Sequence, residues 1–140
     1  MSTLKNRLEP RIRVRQPKLL VIDDEPYVID AIKRRLHDYR VHVMEGYHGL
    51  HGIWRGITEK PDAIITDIMM PHASGEEVIA CLQHNPKTES APIIVLTGCS
   101  DPALESRLRR QGIAAYLTKP VELNLLVSEL SKHVLLRRRD

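Results

Sequence analysis

The stretch Leu19-Leu20-Val21-Ile22-Asp23-Asp24 runs from four apolar residues into two carboxylates, and three later stretches repeat the design. Ala63-Ile64-Ile65-Thr66 runs into Asp67, Pro92-Ile93-Ile94-Val95-Leu96 into Thr97, and Ala114-Ala115-Tyr116-Leu117-Thr118 into Lys119. Short apolar runs separated by helical patterns read as buried parallel strands. In an open parallel sheet, ligands collect outside the carboxyl ends of the strands. Three carboxylates, a hydroxyl and an ammonium are therefore expected at one rim.

The segments between these runs are helical in pattern. Asp24-Glu25-Pro26 opens a first helix, with Asp as a cap and Pro in the first turn, and Val28, Ile29, Ile32 and Leu36 form its apolar stripe. Val41-His42-Val43 alternates as a short second strand. Leu50, Ile53, Trp54 and Ile57 fall at i, i+3, i+4 and i+7, the clearest helical signature in the chain, broken by Lys60-Pro61-Asp62. Residues 69–75 read as a loop. Ser74 with Glu77 resembles a capping box for a third helix through Val78, Ile79 and Leu82, which Asn85-Pro86 ends. Ser100-Asp101-Pro102 starts a polar fourth helix reaching Gly112, and a last helix from about Glu122 buries Leu123, Leu126, Leu130 and Val134. Strand and helix alternate five times, which argues for an α/β fold: one parallel sheet with helices on both faces.

With 140 residues there is room for one domain. Hydrophobic residues make up 42% and charged residues 28%, as in an ordinary globular protein, and with no Phe the core must be Leu, Ile and Val. No apolar stretch approaches the roughly 20 residues that span a bilayer, and the N-terminus lacks an apolar signal region, so a cytoplasmic protein is expected. The net charge of +3 is unevenly spread. Residues 1–18 carry six Lys/Arg against one Glu, residues 137–140 three Arg against one Asp, and the body between them 12 basic against 16 acidic residues. Residues 1–16 read as a basic flexible arm, 17–137 as the domain and 138–140 as a tail. A nucleic-acid surface would show basic residues clustered on the folded body, and solvated basic ends are the plainer reading. Cys81 and Cys99 lack CxxC spacing and read as reduced thiols packed as small hydrophobes.

The chemistry at the rim follows from residue type. Asp23, Asp24 and Asp67 concentrate negative charge that suits a hard divalent ion such as Mg²⁺ or Mn²⁺ with oxygen ligands. Asp67 can then attack a phosphoryl group, with Lys119 neutralising the transferring group and Thr97 donating a hydrogen bond to it. Taken singly, Asp24 is more simply a cap, Asp67 a strand-end carboxylate, Thr97 a turn residue and Lys119 part of a loop. Their coincidence on four strand ends is hard to explain by capping.

Over about residues 17–137 the chain resembles the receiver domain of two-component response regulators. The resemblance is carried by Val21-Ile22-Asp23-Asp24-Glu25, Ile65-Thr66-Asp67-Ile68-Met69-Met70-Pro71, Val95-Leu96-Thr97-Gly98 and Tyr116-Leu117-Thr118-Lys119-Pro120. Thr97 follows Asp67 by 30 residues and Lys119 follows Thr97 by 22, intervals that fit the family. The resemblance implies a flavodoxin-like sheet of strand order 2-1-3-4-5 with five helices. It implies Asp67 as phospho-acceptor, Asp23 and Asp24 as the metal-binding pair and Met69 as a backbone-carbonyl ligand. Thr97 and Tyr116 become the switch pair and Lys119 the phosphate-contacting lysine. Departures at these positions are few, so an active receiver is expected.

The same resemblance implies a sensor histidine kinase or histidine phosphotransfer protein as donor. Thr97 would move toward the phosphate and Tyr116 turn inward. The surface of the fourth helix, fifth strand and fifth helix would change, to be read by a partner, an output domain outside this chain or a second copy forming a homodimer. The resemblance implies a signalling protein and not a turnover enzyme, with no membrane partner and no nucleic-acid partner expected for this domain. Met69 and Cys99 each lie two residues beyond a site residue and are candidates to shield the phosphoryl group from water. His48 and His51, three apart, have metal-ligand spacing but no third ligand nearby. Two other classes stay open. One is a phosphorylation-independent binding module. The other is an aspartate-nucleophile phosphohydrolase of the haloacid-dehalogenase type, which usually needs a second Asp where this chain has Met69.

Overall fold

The computed structural model describes residues 15–71 and 73–140. Twelve elements follow one another: β1 (Lys18–Ile22), α1 (Pro26–Arg35), β2 (His42–Gly46), α2 (Gly49–Glu59), β3 (Ala63–Thr66), β4 (Met69–Met70), β5 (Ala73–Ser74), α3 (Gly75–His84), β6 (Ile93–Thr97), α4 (Pro102–Arg110), β7 (Ala115–Thr118) and α5 (Leu123–Ser131). The main sheet is parallel throughout with order β2-β1-β3-β6-β7. Counting β6 and β7 as its fourth and fifth strands, this is the expected flavodoxin-like 2-1-3-4-5 arrangement.

Strands β1, β3 and β6 are apolar on both faces because helices cover both. Leu19, Val21, Ala63, Ile65, Ile94 and Leu96 pack with Ile29, Ile32, Leu126 and Leu130 of α1 and α5. Leu20, Ile22, Ile64, Ile93 and Val95 point the other way, onto Val78, Ile79, Leu82, Leu104 and Leu108 of α3 and α4. Each fully buried Leu or Ile contributes about 1.5–3 kcal/mol, so these two cores account for the fold without disulfides.

Two helix starts and one loop depart from the sequence pattern. Glu25, not Asp24, is the N-cap of α1, with Pro26 in the first turn and no side-chain cap bond. Ser74 is the N-cap of α3, yet its hydroxyl makes no cap bond, so the capping box does not form. The stretch expected as a loop pairs Met69 with Ser74 and Met70 with Ala73 in a small antiparallel ladder. Asp101 caps α4 as expected, accepting from the Ala103 amide at 3.0 Å.

The apolar signature of α2 locates the helix but not its facing. Leu50 and Trp54 are 75% and 60% exposed, while Gly49, Gly52 and Gly56 are buried against the sheet. A Cβ on Gly52 would lie 2.6–2.8 Å from three carbons of Ile22, so α2 seats closely on β1 only through glycine.

Past α5 the chain does not continue as helix or run free. Arg40 donates its amide to the Arg137 carbonyl and Arg139 its amide to the Asp38 carbonyl, both at 2.7 Å, and Tyr39 and Arg138 form an antiparallel bridge. The tail is thus tied to the α1–β2 corner. Residues 1–14 of the basic arm lie outside the described residues.

Candidate functional site

The strand ends deliver their polar residues to one rim. Asp23 follows β1, with its amide donating to the Gly46 carbonyl at 2.9 Å, and Asp67 follows β3, with its amide donating to the Ile22 carbonyl at 2.9 Å. Thr97 ends β6, and the Lys119 amide donates to the Thr97 carbonyl at 2.8 Å. These backbone bonds extend the sheet by one residue, so the positions of the side chains are set by the sheet itself.

Lys119 joins the carboxylates. Its Nζ lies 2.8 Å from Asp23 Oδ2, 3.1 Å from Asp67 Oδ2 and 3.2 Å from Glu25 Oε1. Asp23 and Asp67 are 2% and 4% exposed, so the ammonium offsets charges that water cannot reach. Asp67 Oδ1 accepts from the Ile68 and Met69 amides at 2.7 and 3.0 Å, which leaves Oδ2 with Lys119 as its hydrogen-bond partner. Carboxylate oxygens of Asp23, Asp24, Glu25 and Asp67 all lie within 4.8 Å of one another. An all-oxygen, strongly anionic donor set of this kind suits a hard divalent cation.

Burial pushes the Asp23 carboxyl above its usual range, a rise that the Lys119 and Glu25 hydrogen bonds and the Lys119 charge only partly oppose. Glu25 is held low by the Tyr27 hydroxyl first and by Lys119 second. For Lys119, burial works against the ammonium, but hydrogen bonds to Asp23 and Asp67 outweigh it and hold the group charged well above the ordinary lysine range. The resting site is an ion cluster with more carboxylates than cations.

Glu25 had no assigned role in the sequence reading. Its place directly after the acidic pair was the available signal, because a residue opening α1 beside β1 faces the same rim. Asp24 is half-buried and belongs to the carboxylate cluster, not to a cap. Thr97 is fully buried, and its Oγ1 accepts from the Cys99 amide at 3.3 Å. Tyr116, in β7, is only 7% exposed and donates its hydroxyl to the Cys99 carbonyl. Its phenol is pushed up to about 12, by burial first and by Cys99 second. Tyr116 lies inward, packed in the apolar core with its hydroxyl on a carbonyl acceptor.

Met69 is 62% exposed at the rim. Cys99 is half-buried, whereas Cys81 is exposed and does not pack as a core residue. Among the described residues His48 and His51 belong to no cluster of metal ligands. His48 Nδ1 accepts from the His51 amide, capping α2, and His51 Nδ1 accepts from the Tyr47 amide, so both lone pairs are committed to backbone.

A family model described as the response regulator receiver domain matches residues 19–131. The chain belongs to the response regulator receiver family. Hybrid signal transduction histidine kinase D of Dictyostelium discoideum is 32% identical over 115 residues, covering 82% of the chain and 7% of the kinase. The receiver therefore spans a small fraction of that relative's length. A response regulator receiver domain protein from Clostridium thermocellum is 30% identical with a TM-score of 0.73, covering 84% of this receiver and 93% of that chain. A response regulator from Burkholderia pseudomallei, solved with a phosphorylated aspartic acid, calcium ion and citrate, is 26% identical with a TM-score of 0.74, covering 81% and 66%. No helix of the described receiver is long and apolar enough to cross a membrane.

Proposed function

We propose that this receiver takes a phosphoryl group onto Asp67 from a histidine of a sensor kinase or phosphotransfer protein. One observation carries the reading: Lys119 Nζ bridges Asp67 Oδ2 and Asp23 Oδ2 at 3.1 and 2.8 Å inside a four-carboxylate cluster on the sheet rim. Capping and packing do not account for three buried or half-buried carboxylates on one ammonium. The Burkholderia relative, with its phosphorylated aspartic acid and calcium ion, supports the same chemistry here.

In the step, Asp67 Oδ2 attacks phosphorus while the P–N bond to the donor imidazole breaks, and the electron pair returns to that ring. Asp67 Oδ1 stays with the Ile68 and Met69 amides, which fix the carboxylate plane. Lys119 follows the charge from the carboxylate to the phosphoryl oxygens, and Thr97 exchanges its bond from the Cys99 amide for one it donates to phosphate. Asp23, Asp24, Asp67 and the Met69 carbonyl would hold Mg²⁺ or Mn²⁺, which supplies neutralisation of the phosphoryl charge when bound. Phosphoryl transfer relies on positioning and electrostatics, so no general base is required.

Losing the Thr97 tether to Cys99 alters the same residue whose carbonyl holds the Tyr116 hydroxyl. Modification at Asp67 is thereby linked to α4, β7 and α5, the surface read by a partner, an output domain or a second copy. The receiver is a signalling module in this reading, not a catalyst for an external substrate. Brief incubation with a small phosphodonor and Mg²⁺, followed by intact mass, tests it. One phosphoryl adduct that disappears in Asp67→Asn is expected. Continuous donor hydrolysis without an adduct would favour a hydrolase, and no adduct at all would favour an inert binding module.

A further inference from the structure

Sequence alone sets nucleic acid aside because the basic residues lie at the chain ends. The structure fixes one of those ends to the body. Arg137 and Arg139 are bonded through their backbones to Arg40 and Asp38, the Arg139 Nε donates to the His37 carbonyl at 2.9 Å, and the Arg138 guanidinium lies 5.4 Å from the centre of the Tyr39 ring. Residues 137–139 are therefore an ordered extended segment. Arg137 and Arg139 leave it on one side, about 6–7 Å apart, a separation comparable to that of successive phosphates on a nucleic-acid strand.

Among the described residues, Arg40 pairs with Asp140, Arg15 with Asp62 and Lys132 with Glu129, while Arg137, Arg138 and Arg139 have no carboxylate partner. All three are exposed, Arg138 stacked on Tyr39. The corner lies at the amino ends of the strands, beside Arg40 and the start of β2 and across the sheet from Asp67. Arg15 and Pro17 line a cavity of about 210 Å³ together with His133 and Leu135, so the start of the described chain reaches the same end. Basic side chains outnumber the acidic ones at this end, where Asp38, Asp62 and Asp140 also lie, whereas the opposite rim is acidic.

We propose that this arginine pole binds the sugar-phosphate backbone of nucleic acid without reading its sequence. Guanidinium groups present paired donors that match phosphate oxygens, and Arg outnumbers Lys here. An anionic membrane is the weaker fit. Stable surface binding needs apolar insertion as well as charge, and at this corner Leu135 is exposed while Leu136 packs into the α1 core.

The full chain is titrated onto a short mixed-sequence DNA duplex by fluorescence anisotropy across a range of salt. Three phosphate contacts predict a log–log salt slope of about −2 to −3, with equal affinity for a scrambled duplex. Replacing Arg137, Arg138 and Arg139 by Ala leaves the backbone bonds in place. It should bring the slope close to zero, while the triple Lys variant keeps a slope near the parent's. Three results would overturn the proposal: no duplex binding at low salt, a slope unchanged in the Ala variant, or Arg-dependent capture by anionic vesicles without duplex binding.

Discussion

Gly75 opens α3, where alanine would ordinarily be the better helix former by about 0.5–1 kcal/mol. At this position the sign should reverse. A Cβ built on Gly75 meets the Ile68 Cα at 2.3 Å, the Ile68 carbonyl oxygen at 2.4 Å and the Ile68 Cγ2 at 2.5 Å. Two of those three are backbone atoms, so no rotamer change relieves the overlap. Either α3 retreats or the Ile68–Met69 segment moves, and overpacking of this kind costs about 1–3 kcal/mol. We expect the upper end, about 3 kcal/mol, and a Tm lower by about 10 °C for a chain of this size. The moving segment also carries the two amides bonded to Asp67 Oδ1, so stabilisation of the protein by Mg²⁺ should shrink as well. Urea unfolding of Gly75→Ala with and without Mg²⁺ measures both effects, with Gly98→Ala as the control, since nothing lies within 4 Å of a Cβ there. If Gly75→Ala matches or exceeds the parent in midpoint, the close seating of α3 on Ile68 is wrong.

Lys119→Met leaves Asp23 and Asp67 buried without their cation, which should cost about 3 kcal/mol at neutral pH and be partly restored by Mg²⁺. An unchanged denaturant midpoint would contradict the ion cluster. Asp62 faces burial, which raises its carboxyl, but the Arg15 hydrogen bond and the Lys18 amide outweigh it and hold it low. A depressed carboxyl stabilises above its unfolded value and loses that contribution as pH falls through the folded one. Asp62→Asn should therefore cost about 1 kcal/mol at pH 7, with the gap from the parent closing below about pH 4. For dephosphorylation, Met69 and Cys99 are expected to hinder water and orient none. Met69→Glu or Met69→Asn should then speed loss of the phosphoryl group on the order of tenfold, about 1.4 kcal/mol of barrier, and an unaltered rate would remove that role.

The strands with polar ends were legible because a parallel strand covered on both faces must be apolar throughout, and β1, β3 and β6 are. Helix positions were legible for the same reason in reverse, from periodicity. Facing was not. In α2 the glycines at 49, 52 and 56 also fall on one face, and close approach to Ile22 selected that face over the larger apolar stripe. Cap chemistry at Asp24 and Ser74 was misplaced because carboxylate and hydroxyl positions depend on tertiary neighbours. Glu25 was quoted in the motif yet given no function, since its bond to Lys119 spans 94 residues of sequence. The tie between the tail and Asp38 and Arg40 is equally long-range, and local pattern carries no trace of it.

Trp54 is the chain's single tryptophan, and it sits on the outer side of α2 with most of its indole in water. Its emission should consequently change little when the interior melts, and a fluorescence unfolding curve would understate the transition seen by circular dichroism. The same placement makes it a ready optical probe for anything that lands on that helix, with no label needed.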